Sequence, residues 1–341
     1  MFKNSILNIS FGQGAGNIGQ LMEQQGILNL AINTSKQDLD TLNVKHKYLI
    51  KNGQGCGKDR SKSKKLVIND FENILSVINN ILDSNTAIKH IFVGFTMGGG
   101  SGSGGGPMLA KLIANEYSNI NVCVYTVIPS KNEPFKAQYN ACECYKELTT
   151  MIRSLGGVFF LDNNKHENKF VINRYFVDDL VAFLKIPDED KSLKGNIDVE
   201  EMNTILSCSG MINIDVTDEN NNKTKENILT DIEHNGFLEY IALSNAKQNL
   251  LKDVQASVGY PIDAFYTFNN RKINIITLAG LTFPVTVMEE MFNTVNERSS
   301  MVNREQHIDD LKLNNIFSSP VNKKESKENK RSRKDIFAEF I

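Results

Sequence analysis

The sequence predicts an α/β fold built around a largely parallel sheet. Apolar, strand-like runs alternate with segments of helical spacing through the first half of the chain, and some runs, such as 90–96, are apolar almost throughout. Such runs are typical of strands that are covered on both faces of a parallel sheet. Glycine-rich stretches follow three of the runs, at 12–19, 52–58 and 97–106. Because open α/β sheets bind ligands beyond the carboxyl ends of their strands, these stretches also indicate where a site should lie.

The predicted elements follow the chain in a regular order. Strands are predicted at 6–11, 28–33, 48–50, 90–96, 122–128 and 158–161 in the first half. Helices are predicted through Leu21 and Met22, over 66–82, from about Met108, over 134–155 and over 170–187. The second half predicts an α+β domain, with strands at 211–216, 257–268 and 273–278 and helices at 237–251 and from 285. Beyond 317 the composition is rich in lysine, serine and asparagine, which predicts a disordered tail.

Composition limits the class of protein. A chain of 341 residues with 40% hydrophobic residues can bury a large core and is long enough for about two domains. The formal net charge of −2 gives no global attraction to nucleic acid or to a membrane surface. The five cysteines match no metal or redox spacing, so we expect reduced thiols. With neither a signal peptide nor an apolar run of about 20 residues, we expect a soluble cytoplasmic protein.

The stretch 97–107 carries the strongest functional signal. Seven glycines and two serines lie here between a buried strand and a helix. Glycine allows backbone N–H groups to approach an anion, and the positive end of the following helix favours negative charge. A flexible Gly/Ser linker is the alternative interpretation, but a linker is rarely flanked so closely by a core strand and a helix. The arrangement indicates a phosphate-binding loop.

Two common nucleotide-binding patterns fit the chain poorly. Gly14, Gly16 and Gly19 match the spacing of the dinucleotide fingerprint, but the second strand ends at Asn33 without the acid that would hold a ribose. No Gly-Lys-Ser/Thr follows any of the glycine-rich stretches, so the Walker pattern is absent as well. An NAD-dependent oxidoreductase therefore stays a minor alternative, because it leaves 97–106 unexplained.

An ordered set of motifs resembles the tubulin/FtsZ superfamily. Residues 97–104, Met-Gly-Gly-Gly-Ser-Gly-Ser-Gly, resemble its loop Gly-Gly-Gly-Thr-Gly-Ser-Gly, with Ser101 in place of threonine. The other motifs resemble the first nucleotide loop (12–17), the second (33–34), the γ-phosphate loop (53–58), the ribose loop (128–133), the guanine loop (161–163) and the synergy loop (195–201). Within the superfamily, the first loop and the basic tail are more similar to TubZ, the plasmid and phage partition tubulins, than to the cell-division FtsZ proteins, which are the alternative.

The resemblance implies a GTPase that binds GTP or GDP together with Mg²⁺. No protein ligand is assigned to the metal, because the phosphates would hold most of it. The family's basic residue four positions after Glu133 is Ala137 here. Lys58 is a further, weaker candidate near the γ-phosphate. The implied nucleotide contacts are Gln13 and Gly14 for the α- and β-phosphates, Gly99, Gly100, Ser101, Gly102 and Ser103 for the β- and γ-phosphates, Gly55 and Gly57 for the γ-phosphate, Glu133 for the ribose, and Asn17, Asn163 and Asn173 for guanine.

Asp198 and Glu201 admit two interpretations. Their spacing ahead of an apolar helix is that of a capping box, and the residues alone favour that role. The resemblance implies instead that both acids project onto the nucleotide of the next subunit in a head-to-tail filament and position the attacking water. Hydrolysis would then depend on polymerisation.

The resemblance also implies a domain organisation and partners. It divides the chain into a GTP-binding domain (1–167), a central helix and connector (168–194), a C-terminal activation domain (195–317) and a basic tail (318–341). Blocks of like charge are usually disordered interaction arms. By resemblance to TubZ, the partner of the tail is a DNA-bound adaptor protein and no membrane is involved. Direct DNA contact, a neighbouring filament surface and a merely solubilising tail are the alternatives.

Overall fold

The computed structural model describes residues 1–193, 195–220, 222–223, 225–233, 238–244, 256, 258–268 and 270–306. The predicted disordered tail lies outside the described residues, as does the part of the predicted helix 237–251 that follows Ser244.

Strands and helices alternate through the first two thirds of the chain. Short 3-10 turns cover Phe2–Ser5 and Ile152–Ser154. The strands are β1 (Ile6–Phe11), β2 (Leu28–Asn33), β3 (His46–Leu49), β4 (His90–Thr96), β5 (Asn121–Ile128), β6 (Gly157–Asp162), β7 (Gly210–Asp218), β8 (Tyr240–Ser244), β9 (Asp263–Thr267) and β10 (Ile273–Leu281). The helices are α1 (Gln13–Gln24), α2 (Lys36–Asp40), α3 (Arg60–Asp83), α4 (Ser101–Glu116), α5 (Phe135–Met151), α6 (Lys169–Leu184), α7 (Ile186–Glu189), α8 (Val199–Ser207) and α9 (Val285–Gln306).

The described strands form one continuous sheet in the order β3-β2-β1-β4-β5-β6-β7-β10-β8-β9. Strands β1 to β6 pair in parallel, whereas β10 runs antiparallel to both of its neighbours. The two halves of the sheet join through two residue pairs, Gly157 with Gly210 and Val158 with Met211. Helices α3, α4, α5 and α9 cover one face, and α1, α6 and α8 cover the other. The prediction of a parallel α/β sheet followed by an α+β region is confirmed.

Helix α6 runs from the carboxyl ends of the parallel strands to their amino ends. It begins at the carboxyl ends of the strands and its 16 residues span about 24 Å at ~1.5 Å per residue. Just beyond it, the Asp188 carboxylate accepts a hydrogen bond from the backbone N–H of Phe2 (2.7 Å), at the amino end of β1. The connector that follows is anchored, because the buried Asp190 accepts from Ser244 Oγ and from Arg271 Nη2 (2.7 Å). The helix therefore carries the chain from the carboxyl ends of the strands, where the sheet meets α6, back to their amino ends.

Two sequence-based assignments of secondary structure were wrong. Helix α4 begins at Ser101 and not near Met108, so the second half of the glycine-rich stretch is helical. The predicted helix at 237–251 contains strand β8, whose run from Ile241 to Leu243 is fully buried. A continuous apolar run of this length is compatible with either element, and pairing with β9 and β10 decides it here. No helix in the described ranges is both long and apolar enough to cross a membrane.

A glycine in β4 makes room for the largest side chain of the core. Gly94 is paired with Tyr125 of β5, and a Cβ on Gly94 would overlap the Tyr125 ring. Tyr125 is fully buried and its ring stacks at a tilt on Phe176 of α6, with ring centroids 5.5 Å apart. Gly94 therefore helps to set the distance between the sheet and α6.

We expect Gly94→Ala to lower the free energy of unfolding by about 1–3 kcal/mol, the usual cost of overpacking a core. Tyr125→Leu shortens the side chain that causes the overlap. The double variant should therefore lose less free energy of unfolding than the sum of the two single losses, by at least about 1 kcal/mol. Urea unfolding of the four proteins measures this coupling, and strictly additive effects would contradict the steric explanation.

Candidate functional site

A cleft of about 300 Å³ opens at the carboxyl ends of the parallel strands. Helix starts and loops that follow β1, β3, β4, β5 and β6 surround it. Its lining residues are Gly14, Asn17, Lys58, Thr96, Gly98, Gly99, Val127, Pro129, Glu133, Asn163, Lys169, Phe170 and Asn173. This is the edge of an open α/β sheet at which ligands are expected to bind.

The amino ends of α1 and α4 meet at one side of this cleft. The caps of both helices are glycines, Gly12 with a φ of 84° and Gly100. A Cβ on Gly12 would lie 3.3 Å from the backbone nitrogen of Gly102, so the two helix starts are in contact. The first N–H groups of a helix have no partner within the helix and carry a positive partial charge. Two such ends side by side form a site for an anion.

Glycines in the first turns of α4 are required by packing. A Cβ on Gly102 would lie 2.9 Å from the carbonyl oxygen of Thr96, and one on Gly104 would overlap the backbone of Arg60. A Cβ on Gly106 would overlap the Phe95 ring. The absence of side chains therefore lets α4 lie directly against β4 and α3. Glycine lowers the helix propensity of this stretch, but it allows the backbone of α4 to approach its neighbours closely.

The two serines of this stretch form internal hydrogen bonds. Ser101 Oγ lies 2.6 Å from Thr34 Oγ1, and the fully buried Ser103 donates to the carbonyl of Gly99. Thr34 also accepts a backbone hydrogen bond from Gly55 (2.8 Å). The segments that follow β2, β3 and β4 are thus joined by direct contacts.

The segment that follows β3 packs against the central stretch. Gly55, Gly57 and Lys58 have φ angles of 78°, 54° and 62°, a left-handed backbone that favours glycine. A Cβ on Gly100 would lie 2.7 Å from the backbone of Lys58, so this close contact also needs a glycine. Lys58 lines the cleft with its side chain exposed to solvent.

Polar side chains line the other end of the cleft. Asn163 Oδ1 is buried without a hydrogen-bond partner among the described residues, as is Oε1 of Gln13, which does not line the cleft but contacts the lining residue Asn17. Gln13 Nε2 donates to Thr41 Oγ1 (3.0 Å) and to Asn17 Oδ1 (3.4 Å). Asn173 is 7% exposed and reaches the cleft from the first turns of α6. Buried amide groups that lack a partner are suited to recognising a flat ligand with several donors and acceptors.

Two residues at the mouth of the cleft were not identified from the sequence. Lys169 forms an ion pair with Glu133 (2.6 Å), and Phe170 is 69% exposed. A signal for Phe170 was present, because it lies off the buried stripe of α6 that runs through Ile172 and Phe176. A large apolar residue outside such a stripe often contacts something other than the core.

The sequence-assigned nucleotide residues thus divide into two groups. Those that line the cleft are Gly14, Asn17, Lys58, Gly99, Glu133, Asn163 and Asn173. The others, Gln13, Gly55, Gly57, Gly100, Ser101, Gly102 and Ser103, belong to the segments around the cleft but are not among its lining residues.

The two candidate acids lie at the opposite edge of the sheet. Helix α8 packs on the amino ends of β4 and β5, where Asn203 Oδ1 lies 2.9 Å from His90 Nε2 and the Leu206 carbonyl accepts from Asn121 Nδ2 (2.9 Å). Burial lowers the pKa of His90, so this ring is neutral at pH 7. Since β4 has seven residues, about 20 Å of strand at ~3.3 Å per residue separate this edge from the cleft. The acids and the cleft of one subunit cannot act on the same reacting atoms.

Asp198 and Glu201 form a complete capping box at the start of α8. Asp198 Oδ1 accepts from the backbone N–H groups of Glu200 and Glu201 (both 2.9 Å), and Glu201 Oε2 accepts from the N–H of Asp198 (2.9 Å). Each carboxylate uses one oxygen in this way. The other oxygens, Asp198 Oδ2 and Glu201 Oε1, take no part in the box. The box therefore fixes both carboxylates and leaves one oxygen of each for another partner.

Burial keeps three of the five cysteine thiols protonated. All five are free and buried. Burial raises the pKa of Cys123 and of Cys144 to about 12 and that of Cys142 to about 11. These three thiols are protonated at neutral pH, which excludes them as nucleophiles.

Comparison with known proteins identifies the family. Residues 5–169 match the model of the tubulin/FtsZ family GTPase domain. The tubulin-like protein TubZ of Clostridium botulinum C phage is 30% identical over 318 residues, which cover 89% of this chain and 86% of that protein. The GTPase-domain match includes the fingerprint at Gly14–Gly19, so the oxidoreductase alternative is dropped.

Solved structures agree with the sequence relatives. The crystal structure of the C. botulinum phage c-st TubZ superposes with a TM-score of 0.76 at 26% identity, over 88% of this chain and 99% of that one. A GTPγS-form protofilament of Bacillus thuringiensis TubZ gives a TM-score of 0.71 at 16% identity, over 88% and 94% of the two chains, and shows the fold alone. The sheet of ten described strands, the glycine-rich cleft and these relatives together establish that the chain belongs to the tubulin/FtsZ family and resembles its TubZ members over most of its length.

Proposed function

We propose that this chain is a GTP-dependent, filament-forming GTPase that hydrolyses GTP at the interface between subunits. The observation that carries the proposal is the separation of the cleft from the capped acids by the full length of the parallel strands. In a head-to-tail stack, the amino edge of one sheet faces the carboxyl edge of the next. Each cleft would then receive Asp198 and Glu201 from its neighbour. B. thuringiensis TubZ, which shares this fold, is known as a protofilament.

The converging amino ends of α1 and α4 would bind the β- and γ-phosphates. Their backbone N–H groups supply donors, and the glycines leave room for the phosphate oxygens. Lys58 would add a positive charge from the 53–58 segment. Mg²⁺, when bound, would neutralise charge on the triphosphate. The hydroxyls and amides of the cleft walls suit a metal that takes most of its ligands from phosphate and water, because Mg²⁺ retains water readily and seldom needs an all-protein cage.

The other end of the cleft would hold the nucleoside. Asn163, Asn173 and Asn17 line this end and would pair with the edge of guanine, and Asn163 Oδ1 would accept from its N–H groups. Glu133 would accept from the ribose hydroxyls. Lys169 would hold Glu133 in position through their ion pair, which compensates in part for Ala137 at the position where the family has a basic residue.

The capping box explains how the acids can be ready before a neighbour arrives. The two oxygens outside the box would accept hydrogen bonds from the attacking water and turn its lone pair toward the γ-phosphorus. The bond from this phosphorus to the bridging oxygen breaks as the water attacks, which yields GDP and phosphate, and the water's proton passes to a carboxylate or to the phosphate. Because the carboxylates are already fixed by the box, little side-chain freedom is lost in this step.

The acids can be tested apart from their capping role. Asn at an N-cap accepts the same backbone hydrogen bonds, so Asp198→Asn should leave the free energy of unfolding nearly unchanged, whereas Asp198→Ala should lower it by about 0.5–2 kcal/mol. Both variants should bind GTP and lose turnover by about 100-fold or more, since a positioned acid–base group contributes ~10²–10⁴. Glu201→Gln should behave like Asp198→Asn. Normal turnover in Asp198→Asn would remove the catalytic assignment.

Mixing two inactive variants tests whether the site is shared. A Cβ on Gly99 would meet nothing closer than Thr96 Oγ1 at 3.4 Å, so Gly99→Asp fits the fold while its carboxylate repels the triphosphate. Gly99→Asp alone and Asp198→Asn alone should both be inactive. Their mixture should hydrolyse GTP, because the Asp198→Asn cleft can receive an intact Asp198 from its neighbour. In wild-type protein, the rate per subunit should rise with concentration. A mixture without activity, from two variants that still copolymerise, would contradict the shared site.

We also propose that the filaments segregate plasmid or phage DNA through an adaptor that binds the C-terminal tail. The support is the basic composition of 318–341 and the similarity to phage TubZ over most of the chain. An FtsZ-like role in cell division, in which the tail would bind a division protein, is the alternative.

Truncation after Ser319 should spare polymerisation and abolish binding of the adaptor–DNA complex. Light scattering with GTP measures polymerisation, and co-sedimentation of filaments with adaptor-coated DNA measures binding. The full-length chain is the control. Equal co-sedimentation of both proteins would show that the tail is not the docking segment.

A further inference from the structure

Two buried amides on α5 hold the loops that surround the cleft. Gln138 Nε2 donates to the carbonyls of Lys131 (2.7 Å) and Glu133 (2.9 Å), in the segment that follows β5. Asn140 Nδ2 donates to the carbonyls of Lys58 (3.1 Å) and Gly99 (2.9 Å), in the segments that follow β3 and β4. Gln138 is 1% exposed and Asn140 is not exposed. Each amide thus joins two loop carbonyls that lie outside the hydrogen bonds of the helices and strands.

The positions of Gln138 and Asn140 on α5 explain why the two amides contact different segments. Residues two apart on a helix point about 200° away from each other, since successive residues turn by ~100°. Gln138 and Asn140 therefore serve different sides of the cleft. Gln138 acts within the proposed ribose segment, and Asn140 joins two proposed phosphate segments.

The link made by Asn140 acts at the exposed end of the 53–58 segment, whereas the hydrogen bond from Gly55 to Thr34 holds the middle of that segment. Lys58 has a left-handed backbone and an exposed side chain, and a Cβ on Gly57 would meet no atom within 4 Å. Gly99 precedes the cap of α4, so its position decides where the first N–H groups of α4 point. Because one amide donates to both carbonyls, the 53–58 segment and the start of α4 are held at a fixed separation.

We propose that Asn140 is a positioning residue that gives the cleft its preference for a nucleoside triphosphate over a diphosphate. It keeps the 53–58 segment against the start of α4, where only the third phosphate of the ligand would contact both. Gln138 instead positions the ribose segment, which a triphosphate and a diphosphate contact equally. The inference rests on the proposed function, because it assumes that the cleft binds guanine nucleotides.

The two amides provide a matched pair of variants. Asn140→Leu keeps the branching and the heavy-atom count of the side chain, Gln138→Met keeps its length approximately, and each removes the N–H donors. Asn140→Ser is a second variant, in which the smaller side chain leaves room for a water that can donate to both carbonyls. All three are made in the full-length chain with Asp198→Asn, so that turnover does not disturb the measurement. Dissociation constants for GTPγS and for GDP are measured with Mg²⁺ at protein concentrations below polymerisation.

We expect Asn140→Leu to weaken GTPγS binding by about tenfold, the equivalent of ~1.4 kcal/mol, and GDP binding by less than about twofold. Gln138→Met should weaken the binding of GTPγS and of GDP by the same factor and leave the ratio of the two dissociation constants unchanged. The GTPγS dissociation constant of Asn140→Ser should lie between those of the parent chain and of Asn140→Leu. Thermal unfolding without nucleotide identifies any general loss of structure, which would weaken the binding of GTPγS and of GDP alike.

An unchanged GTPγS-to-GDP ratio in Asn140→Leu and Asn140→Ser would overturn the inference and leave the proposed function standing. An equal change of ratio in Gln138→Met would also overturn it, since the effect would then belong to α5 as a whole. Failure of the parent chain to bind either nucleotide would overturn the proposed function itself, and the inference with it.

Discussion

The close approach of α4 to its neighbours is the constraint on which the site depends. Gly102, Gly104 and Gly106 have no side chains of their own where α4 meets β4 and α3, and Gly12 brings the start of α1 into contact. Side chains at these three positions would push α4 away from its neighbours, because even a Cβ would lie within 3 Å of atoms of Thr96, Arg60 or Phe95. The two positive helix ends would then be separated and the anion site between them lost. Glycines that weaken α4 as a helix are therefore necessary for the site.

The second constraint is the sheet itself. A continuous set of strands holds the cleft at one edge and α8 at the other, and α6 spans the same distance. Rigid elements of this length do not bend enough to bring the acids to the cleft of the same subunit. Proposed catalysis and proposed assembly then follow from one geometric fact, the length of the parallel strands.

Much of the fold and part of the site could be predicted from the sequence. The buried strands were recognised because they are apolar over most of their length, and the ordered glycine motifs indicated the cleft. The start of α4 was missed because glycine propensity argued against a helix, and packing overrode propensity at Gly104 and Gly106. Gln138 and Asn140 were missed because polar residues on a helix normally face solvent. Only the three-dimensional arrangement shows that the segments at Lys58, Gly99 and Glu133 meet on α5.

The capping box at α8 has a consequence for how the sequence can change over time. Ser, Thr and Asn serve an N-cap about as well as Asp does, so selection for stability alone would let position 198 drift among the four. Under the proposed mechanism only the acid supports turnover. A copy that drifted to Ser or Asn would fold, bind nucleotide and join filaments that cannot release their subunits. Such a copy would act as a dominant inhibitor of its own polymer, and that makes the position costly to change even when a second, intact copy is present.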